Sequence, residues 1–391
     1  MSAAAPPRVA VVGALGHGAS HVARALAATA AGTQRLVALA DPRVDAVTGV
    51  PDAVRRHASL AALLEAEVPD VVVLSTPIDT HAALAAEAMR AGADVLLEKP
   101  PAATTEQHAG MVALAAATGR LVQVGFQSLG SAAVPYVRER VAAGRLGEVT
   151  GYAAWGLWVR PRSYWRRARW AGHRSLDGRP VADGVLTNPL AHAVATVLAL
   201  AGHDRSEDVT AVTTDLHRVE PGIACDDTSA ARVALRDGTD VLVAVTLAAQ
   251  ERGEPAVVVE GTRGRITLWY TLDVVVEERA GRPPLVTRHD RVDLLEDLLA
   301  ARASGGPLRV PLERTGAFMR VLDAVLAAPD PALVPARFLE RTGTGDGERV
   351  RLVGVEGAVA RAVAERRTFA ELGLPWAGGA ADGPRGRGAP G

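Results

Sequence analysis

Lys99 is the residue of this chain whose type most directly suggests chemistry. It is the only lysine among 43 lysine and arginine residues, and it stands in Glu98-Lys99-Pro100. Arginine supplies a permanent positive charge, whereas a lysine amine exchanges its proton near neutral pH when burial and neighbouring charges lower its pKa. The sequence therefore predicts that Lys99 transfers a proton. The alternative is a surface lysine that persists by chance.

A second pair of candidate groups lies in the segment 186–192 (LTNPLAH), which opens an apolar helix extending to about Leu200. Asn188 and His192 have the i, i+4 spacing that places two side chains on one helix face. Each residue keeps its own alternative. Asn188 either orients a substrate hydroxyl or caps the helix, with Pro189 in its first turn. Independently, His192 either faces a substrate or is packed in the interior.

A glycine-rich turn at residues 13–18 (GALGHG) lies between an apolar strand and a helical segment. Glycines at this position permit a tight turn and bring backbone N–H groups against a pyrophosphate. Gly13 and Gly18 fit the pattern G-x-G-x-x-G, whereas Leu15 occupies its middle position. The residues of the turn predicted to bind a dinucleotide are Gly13, Leu15, Gly16, His17 and Gly18.

Asp41 ends the second predicted strand, about 20 residues beyond the turn, where an acid accepts hydrogen bonds from the ribose hydroxyls of a dinucleotide. A carboxylate repels a 2′-phosphate, so Asp41 favours NAD over NADP. Arg43, two residues later, limits that preference.

The elements that position these groups follow from the pattern of the first 125 residues. Short apolar runs alternate with alanine-rich helical segments, which is typical of βα units around a parallel sheet. The predicted strands are Arg8–Val12, Arg35–Ala40, Asp70–Leu74, Asp94–Leu97 and Leu121–Val124, and the predicted helices are His21–Ala31, His81–Ala91 and Glu106–Thr118.

Beyond Val149 the pattern changes to longer strands with β-branched residues. Runs of strands after a βα region indicate a mainly antiparallel sheet. The predicted strands are Val209–Val219, Ser229–Leu235, Val241–Leu247, Ala256–Glu260 and Arg265–Trp269. The tail, residues 377–391, is rich in glycine, alanine and proline and is predicted to be disordered.

Several short motifs occur here in a characteristic order: the glycine turn, Ala40-Asp41-Pro42, Ser75-Thr76-Pro77 followed by His81, Glu98-Lys99-Pro100, and Val124-Gly125-Phe126-Gln127. In this order they resemble the Gfo/Idh/MocA family of nicotinamide-dependent oxidoreductases. The resemblance is specific over roughly residues 8–150, including 144–148 (GRLGE), and looser up to about Trp376. The predicted fold class is α/β: a doubly wound parallel Rossmann sheet (residues 1–125), then an α+β domain with a large, mainly antiparallel sheet (residues 126–376).

The resemblance implies roles for individual residues. The Lys99 amine lies near the nicotinamide and the substrate hydroxyl, Glu98 orients or charge-pairs with that amine, and Gln127 orients the substrate. Ser75, Thr76 and His81 lie near the cofactor at the carboxyl edge of the sheet, although His81 also suits a solvated position at a helix start.

The family's Asp-x-Gly-x-His stretch is similar to 188–192, but here the acid is replaced by Asn188. An amide stabilises a charged imidazole less than a carboxylate does, so Lys99 carries the proton transfer more nearly alone, with His192 as helper.

The segment 160–170 (RPRSYWRRARW) combines arginines with aromatic residues. Its predicted role is to cover a substrate cleft, with Tyr164, Trp165 and Trp170 stacking on a sugar ring and arginines binding a carboxylate or phosphate. An inter-subunit arm with solvated arginines is an equal alternative. Nucleic-acid binding is disfavoured because the chain has no matching basic excess.

Composition narrows the class of protein. A net charge of −1 gives no general attraction to nucleic acid or anionic membranes. One cysteine, Cys225, suits a reducing compartment, and neither a signal-peptide pattern nor an apolar run of roughly 18 residues is present. We therefore expect a cytoplasmic protein, and the resemblance implies a homodimer or homotetramer. Asp226-Asp227 has no accompanying ligand cluster, so no metal is predicted.

The leading hypothesis is an NAD(P)-dependent oxidoreductase that acts on a hydroxyl or ketone of a sugar, polyol or related compound. Two alternatives stay open. One is a redox-neutral lyase or glycoside-cleaving enzyme with bound NAD, and the other is a dinucleotide-responsive binding protein like the family's galactose-pathway repressor. The lysine retained at position 99 favours catalysis.

Overall fold

The glycine turn and Lys99 both lie at the carboxyl edge of a parallel sheet. A computed structural model of the chain describes residues 5–378. The strands of this sheet are β1 Arg8–Val12, β2 Arg35–Ala40, β3 Arg55–His57, β4 Val71–Leu74, β5 Asp94–Leu97 and β6 Val122–Val124. They pair in parallel in the order β3-β2-β1-β4-β5-β6, which is the doubly wound order that reverses beside β1.

The central strands form because their continuous apolar sequence is buried on both faces, as in Val71–Leu74, where every residue is fully buried. The five predicted strands are confirmed within one residue. Strand β3 was missed because its sequence, Arg55-Arg56-His57, is polar and lies at the sheet edge. The helices of this domain are α1 Gly18–Ala30, α2 Leu60–Ala66, α3 Ile78–Ala91 and α4 Thr105–Thr118.

The second domain contains a large mixed sheet of nine of the strands that the structure describes. Its remaining helices and strands are α5 Ala133–Ala142, β7 Val149–Val159, β8 Ser175–Leu176, β9 Arg179–Pro180, α6 Ala191–Ala201, β10 Val209–Arg218, β11 Thr228–Leu235, β12 Asp240–Thr246, β13 Ala248–Gly261, β14 Gly264–Trp269, β15 Val274–Arg279, β16 Leu285–Arg288, α7 Leu294–Ser304, α8 Gly316–Ala327, β17 Ala332–Leu333, β18 Leu339–Thr342, β19 Arg349–Leu352 and α9 Val355–Glu365. The sheet order is β16-β15-β14-β13-β7-β12-β11-β10-β17, and most neighbours are antiparallel.

The predicted large sheet is confirmed, but its central strand β7 was missed. Its sequence mixes glycine, alanine and tryptophan and lacks the β-branched alternation used to predict the other strands. Helix α6, which follows Asn188, is buried along almost its whole length and packs against β7 and β13.

The chain returns to the first domain after the large sheet. Helix α7 packs on β5 and β6, and Val124 N donates to Val310 O. The two predicted domains therefore share one extensive apolar core. Of the predicted disordered tail, Ala377 is buried and Gly378 is described, while the rest lies outside the described residues.

Candidate functional site

The glycine turn depends on close backbone packing. Gly13 has a left-handed φ of +79°, and a Cβ there would overlap the carbonyl oxygen of Ser75. A Cβ on Gly18, the first residue of α1, would overlap the carbonyl oxygen of Gly13. Both positions therefore require glycine, and together they hold the start of α1 against the end of β4. Gly16, at φ +61°, has no atom within 4 Å of its Cβ position.

The other predicted cofactor residues surround this turn. Asp41 is buried just beyond β2 and accepts a hydrogen bond from Arg43 N at 2.9 Å. Leu15 is half-buried and packs against the core, and the His17 side chain is 65% exposed. Thr76 Oγ1 accepts a hydrogen bond from Thr80 Oγ1 at 2.8 Å. The backbone cradle, the helix start and the acid beyond β2 fit a dinucleotide.

Glu98 is the centre of a buried polar cluster beside the turn. Its Oε1 lies 2.8 Å from His21 Nε2, 3.4 Å from His17 Nε2 and 3.3 Å from Gln127 Nε2. Although burial raises the pKa of Glu98, the hydrogen bonds from His17 and His21 outweigh it and hold that pKa well below its ordinary value. Glu98 therefore stays ionised, and it pairs with histidines rather than with the Lys99 amine, contrary to the expectation.

His17, His21 and Glu98 each offer one atom that could bind a metal ion, and these three atoms lie within 4.8 Å of one another. The same atoms also satisfy one another through hydrogen bonds, and the prediction of no metal stays a prediction.

His81 is not solvated, contrary to one expectation. It is 1% exposed, with Nδ1 2.8 Å from the carbonyl oxygen of Pro100 and Nε2 2.9 Å from that of Thr76. Burial lowers its pKa, against the two carbonyls that raise it. The side chain connects the loop after β4 to the Lys99-Pro100 segment, so any contribution of His81 to cofactor binding passes through the backbone.

Lys99 meets Asn188 from the second domain. Its Nζ donates to Asn188 Oδ1 at 2.6 Å and to Asn188 O at 3.1 Å. Burial lowers the pKa of Lys99, the charges of Glu98 and Asp183 raise it, and that of Arg167 lowers it. The net direction is downward, which favours proton exchange nearer neutral pH.

Asn188 does not cap α6, so that alternative is wrong. It lies in the turn before the helix, whose N-cap residue is Leu190, and its amide Nδ2 donates to Asp183 Oδ1 at 2.7 Å. The Asn188 amide therefore bridges the Lys99 amine on one side and the Asp183 carboxylate on the other. Sequence reasoning missed Asp183, because it considered only the i, i+4 spacing around Asn188.

His192 is the next side chain of this centre. Its Nδ1 lies 3.4 Å from Ser128 Oγ, which accepts a hydrogen bond from Thr196 Oγ1 at 2.8 Å. Burial, followed by the charge of Lys99, lowers the pKa of His192 to about 3. His192 is therefore neutral near pH 7, in agreement with the loss of the acid at position 188. Ser128 and Thr196 were missed because their contact joins two distant segments.

The arginine-aromatic segment lies next to this centre, and within residues 5–378 four of its five arginines form ion pairs, Arg160 being the exception. Arg162 binds Glu348 at 2.8 Å, Arg166 binds Asp346 at 2.7 Å and Arg167 binds Asp183 at 2.6 Å. The guanidinium carbons of Arg167 and Arg160 lie 3.8 Å and 5.0 Å from the centre of the Tyr164 ring.

The expectation of solvated arginines in this segment is therefore wrong for Arg162 and Arg167. Trp165 is half-buried, and its ring centre lies 5.0 Å from that of Tyr164 in an edge-to-face arrangement. Stacking of these rings on a sugar stays a prediction.

Among the described residues, no helix combines the length and apolar character needed to cross a bilayer.

Two family models match the chain. The oxidoreductase family with an NAD-binding Rossmann fold matches residues 7–126, and the GFO/IDH/MocA C-terminal domain matches residues 134–267. The two matched regions adjoin each other and contain the glycine turn, Lys99, Asn188 and His192.

Two curated relatives resemble parts of the chain. The uncharacterized oxidoreductase YdgJ of Escherichia coli (strain K12) is 29% identical over 195 residues, covering 50% of this chain and 52% of the relative. Inositol 2-dehydrogenase 1 of Saccharopolyspora erythraea is 38% identical over 146 residues, covering 36% of this chain and 43% of the relative. The chain thus spans about half the length of the curated relatives it matches.

A solved structure shows the same fold over a longer stretch. The WlbA dehydrogenase from Bordetella pertussis, crystallised with NADH and UDP-GlcNAcA, superposes with a TM-score of 0.66 at 22% identity. The match covers 82% of this chain and 95% of that one.

Proposed function

Because the chain belongs to the Gfo/Idh/MocA oxidoreductase family, with its NAD-binding Rossmann fold, we propose that it is an NAD-dependent dehydrogenase acting on a CH–OH group of a sugar, polyol or related compound. The observation that carries this proposal is the position of Lys99. The chain's only lysine has a lowered pKa and two hydrogen bonds to Asn188 at the edge of the cofactor-binding domain.

The cofactor-binding residues are the backbone of Gly13, Leu15, Gly16, His17 and Gly18, with Asp41 for the ribose and Ser75, Thr76 and Glu98 at the neighbouring strand ends. Asp41 favours NAD, since a 2′-phosphate would meet a carboxylate. Bound NAD supplies the hydride acceptor or donor for the substrate carbon. The protein's own residues must therefore hold the substrate and move the hydroxyl proton.

Lys99 Nζ is arranged to take that proton. A neutral amine has two N–H groups and one lone pair, and the two N–H groups point to the oxygens Oδ1 and O of Asn188. The remaining tetrahedral position is free to accept the hydroxyl proton during oxidation or to return it during reduction. Neutral His192 orients the hydroxyl through a hydrogen bond, and Gln127 borders the same space.

The substrate class follows from the relatives and from the segment 160–170. A curated relative is an inositol dehydrogenase, and a structural relative was crystallised with a nucleotide sugar. Tyr164 and Trp165 are half-buried in the segment whose Arg167 binds Asp183, and aromatic rings in this position suit a polyhydroxylated ring. The ion pairs of four of the five arginines in this segment do not favour a strongly anionic substrate.

We further infer a cytoplasmic homodimer or homotetramer with a small-molecule substrate and no nucleic-acid partner. Apolar side chains near β16 support association between subunits, because Val286 is 63% exposed and Leu272 is 45% exposed. The single buried cysteine suits a reducing compartment.

The experiment compares wild type with Lys99→Arg. Binding of NAD and NADP is measured on the purified protein, and reduced nicotinamide is then followed by absorbance over a panel of sugars, polyols and uronic acids. Arginine keeps the charge but does not exchange its proton near pH 7. We expect kcat to fall by about 10²–10⁴-fold while the Kd for NAD stays unchanged.

Other outcomes separate the alternatives. Unchanged turnover in Lys99→Arg would remove Lys99 from proton transfer. Tight NAD binding without turnover on any compound favours the redox-neutral enzyme or the binding protein, and absence of nucleotide binding overturns the cofactor assignment.

A further inference from the structure

Asp183 is a buried acid for which the proposed mechanism has no role so far. It is 0% exposed, five residues before Asn188, and both of its carboxylate oxygens are occupied. Oδ1 accepts from Asn188 Nδ2 at 2.7 Å and from Arg167 Nη2 at 2.6 Å, and Oδ2 accepts from Gly172 N at 2.8 Å. Three donors from three positions thus fix this carboxylate.

Asn188 transmits that fixed geometry to Lys99. Its amide has one donor side and one acceptor side, and the Asp183 carboxylate takes only the donor. The acceptor Oδ1 must therefore face the other way, where it receives the Lys99 amine at 2.6 Å. With Lys99 as the ammonium, a reversed amide would place Nδ2 against another donor and Oδ1 against the carboxylate, losing both hydrogen bonds.

We propose that the Arg167–Asp183 ion pair, acting through the Asn188 amide, positions the Lys99 amine for proton transfer. Asp183 and Arg167 are positioning residues, since neither touches the amine. The carboxylate that position 188 lacks is supplied instead from position 183. An aspartate at 188 would place two carboxylates in contact, which raises the energy of the ionised pair, so the amide at 188 and the acid at 183 belong together.

The same contacts connect Lys99 to the arginine-aromatic segment. The Arg167 guanidinium lies over Tyr164 at 3.8 Å and over Trp170 at 4.6 Å, and its Nη1 donates to Tyr164 O at 2.9 Å. Displacement of this segment therefore breaks the Arg167–Asp183 pair and changes the charges that act on Lys99.

The charges around Lys99 predict that substitutions of the two positioning residues shift the pKa of Lys99 in opposite directions. Glu98 and Asp183 favour the ammonium, whereas Arg167 disfavours it and His192 is neutral. Asp183→Asn removes a favourable charge and leaves Arg167 unopposed, so the pKa of Lys99 falls. Arg167→Gln removes the unfavourable charge, so that pKa rises.

The test uses the fact that the chain has one lysine. Full-length protein labelled with [15Nζ]-lysine gives a single lysine side-chain signal, and its chemical shift against pH reports the pKa of Lys99 without substrate or cofactor. The matched control is Asp177→Asn, which removes an acid from the exposed Arg169–Asp177 pair, 3.5 Å apart, close to the same segment. The control leaves the pKa of Lys99 unchanged.

The proposal is overturned if Asp183→Asn shifts the Lys99 titration no more than Asp177→Asn does. Should Asp183→Asn fail to fold, Arg167→Gln decides alone, and an unchanged or lowered pKa of Lys99 sinks the idea. The double variant Asp183→Asn/Asn188→Asp returns a single acid to 188, and we expect its Lys99 titration to lie closer to that of wild type than the titration of Asn188→Asp alone, in which two carboxylates face each other.

The inference rests on the proposed function in one respect, namely that the positioned Lys99 amine transfers a proton to or from a substrate. The labelled-lysine titration measures the pKa of Lys99 and does not depend on the proposed function. Titration shifts of the expected sign in a protein that oxidises no compound would support the positioning role and contradict the dehydrogenase. With an active enzyme, the acid limb of the kcat profile moves with the measured pKa of Lys99, while the KM for NAD stays constant.

Discussion

The glycine turn at residues 13–18 is built of backbone, whereas the Lys99 centre is built of side chains from separate parts of the chain. At the turn, Gly13, Gly18 and Ser75 are held so closely that one added methyl group has no space. At the Lys99 centre, a carboxylate, an amide and an amine meet in hydrogen bonds of 2.6–2.7 Å. The turn is therefore sensitive to volume, and the centre is sensitive to charge and to hydrogen-bond polarity.

The largest effect that separates the two regions is expected from Gly18→Ala. The new Cβ overlaps the Gly13 carbonyl, and backbone cannot yield as a flexible side chain does. We expect the free energy of unfolding to fall by about 3 kcal/mol and NAD affinity to fall with it. Urea denaturation and fluorescence titration with NAD measure the two quantities.

Gly16→Ala is the matched control in the same turn. Its Cβ meets nothing within 4 Å, so only the left-handed φ opposes the alanine, at a cost of about 1 kcal/mol. Equal losses in the two variants would mean that the close packing between Gly13 and Gly18 has no special part in the turn.

The pH dependence of stability is the next effect. The pKa of His192, lowered to about 3 chiefly by burial, means that the unfolded chain binds a proton below about pH 6.5 and the folded chain does not. Stability therefore falls as pH decreases. At pH 5 the uncharged state of His192 lowers the free energy of unfolding by about 2 kcal/mol. Urea unfolding of wild type and His192→Gln at pH 7.5 and pH 5 measures this, and the pH difference should be smaller in the variant.

His17, on the turn, acts with the opposite sign. Its pKa is raised, mainly because Glu98 accepts its hydrogen bond. The stability that it contributes is present below about pH 6.5 and is lost as pH rises through the folded pKa. His17→Gln should therefore increase the destabilisation at pH 5, and a change in the same direction as that of His192→Gln would contradict the contrast between the regions.

The smallest effect is expected from Ser128→Ala. Buried Ser128 connects Thr196 to His192, so its removal leaves two polar groups without a partner, at a cost of about 1 kcal/mol. We expect kcat to fall roughly fivefold while the Kd for NAD is unchanged. The control is Ser20→Ala on the turn side, whose exposed hydroxyl donates to His17 O, and a similar loss of kcat there would contradict the assignment.

The two regions also differ in how far sequence reasoning reached them. The glycine turn, Asp41 and the five apolar strands were predicted, because these features depend on neighbours in the chain and on backbone conformation. Strand β3 was missed because it is a polar edge strand, and β7 was missed because its burial depends on sheet neighbours rather than on its own pattern. Lys99 was predicted from its type and from the Glu98-Lys99-Pro100 motif, but the groups that hold its amine were not.

The partners of Lys99 show why the rest was out of reach. Glu98 lies next to Lys99 in the chain and was expected to pair with it, yet its carboxylate faces His21 and Gln127. Asn188 is 89 residues away and holds the amine. Adjacent side chains on an extended backbone point in different directions, so the chain neighbour was the wrong choice.

By itself, the sequence determined the doubly wound sheet and the glycine turn and singled out Lys99, the chain's only lysine, as a candidate for proton exchange, because short-range patterns and residue chemistry decide these. Only the tertiary structure decided that Asn188 turns its oxygen to Lys99 and its nitrogen to Asp183, and that His192 is neutral. Hydrogen-bond direction and pKa depend on which charges and dipoles are close in space, and these groups come together only when the two domains pack on one core.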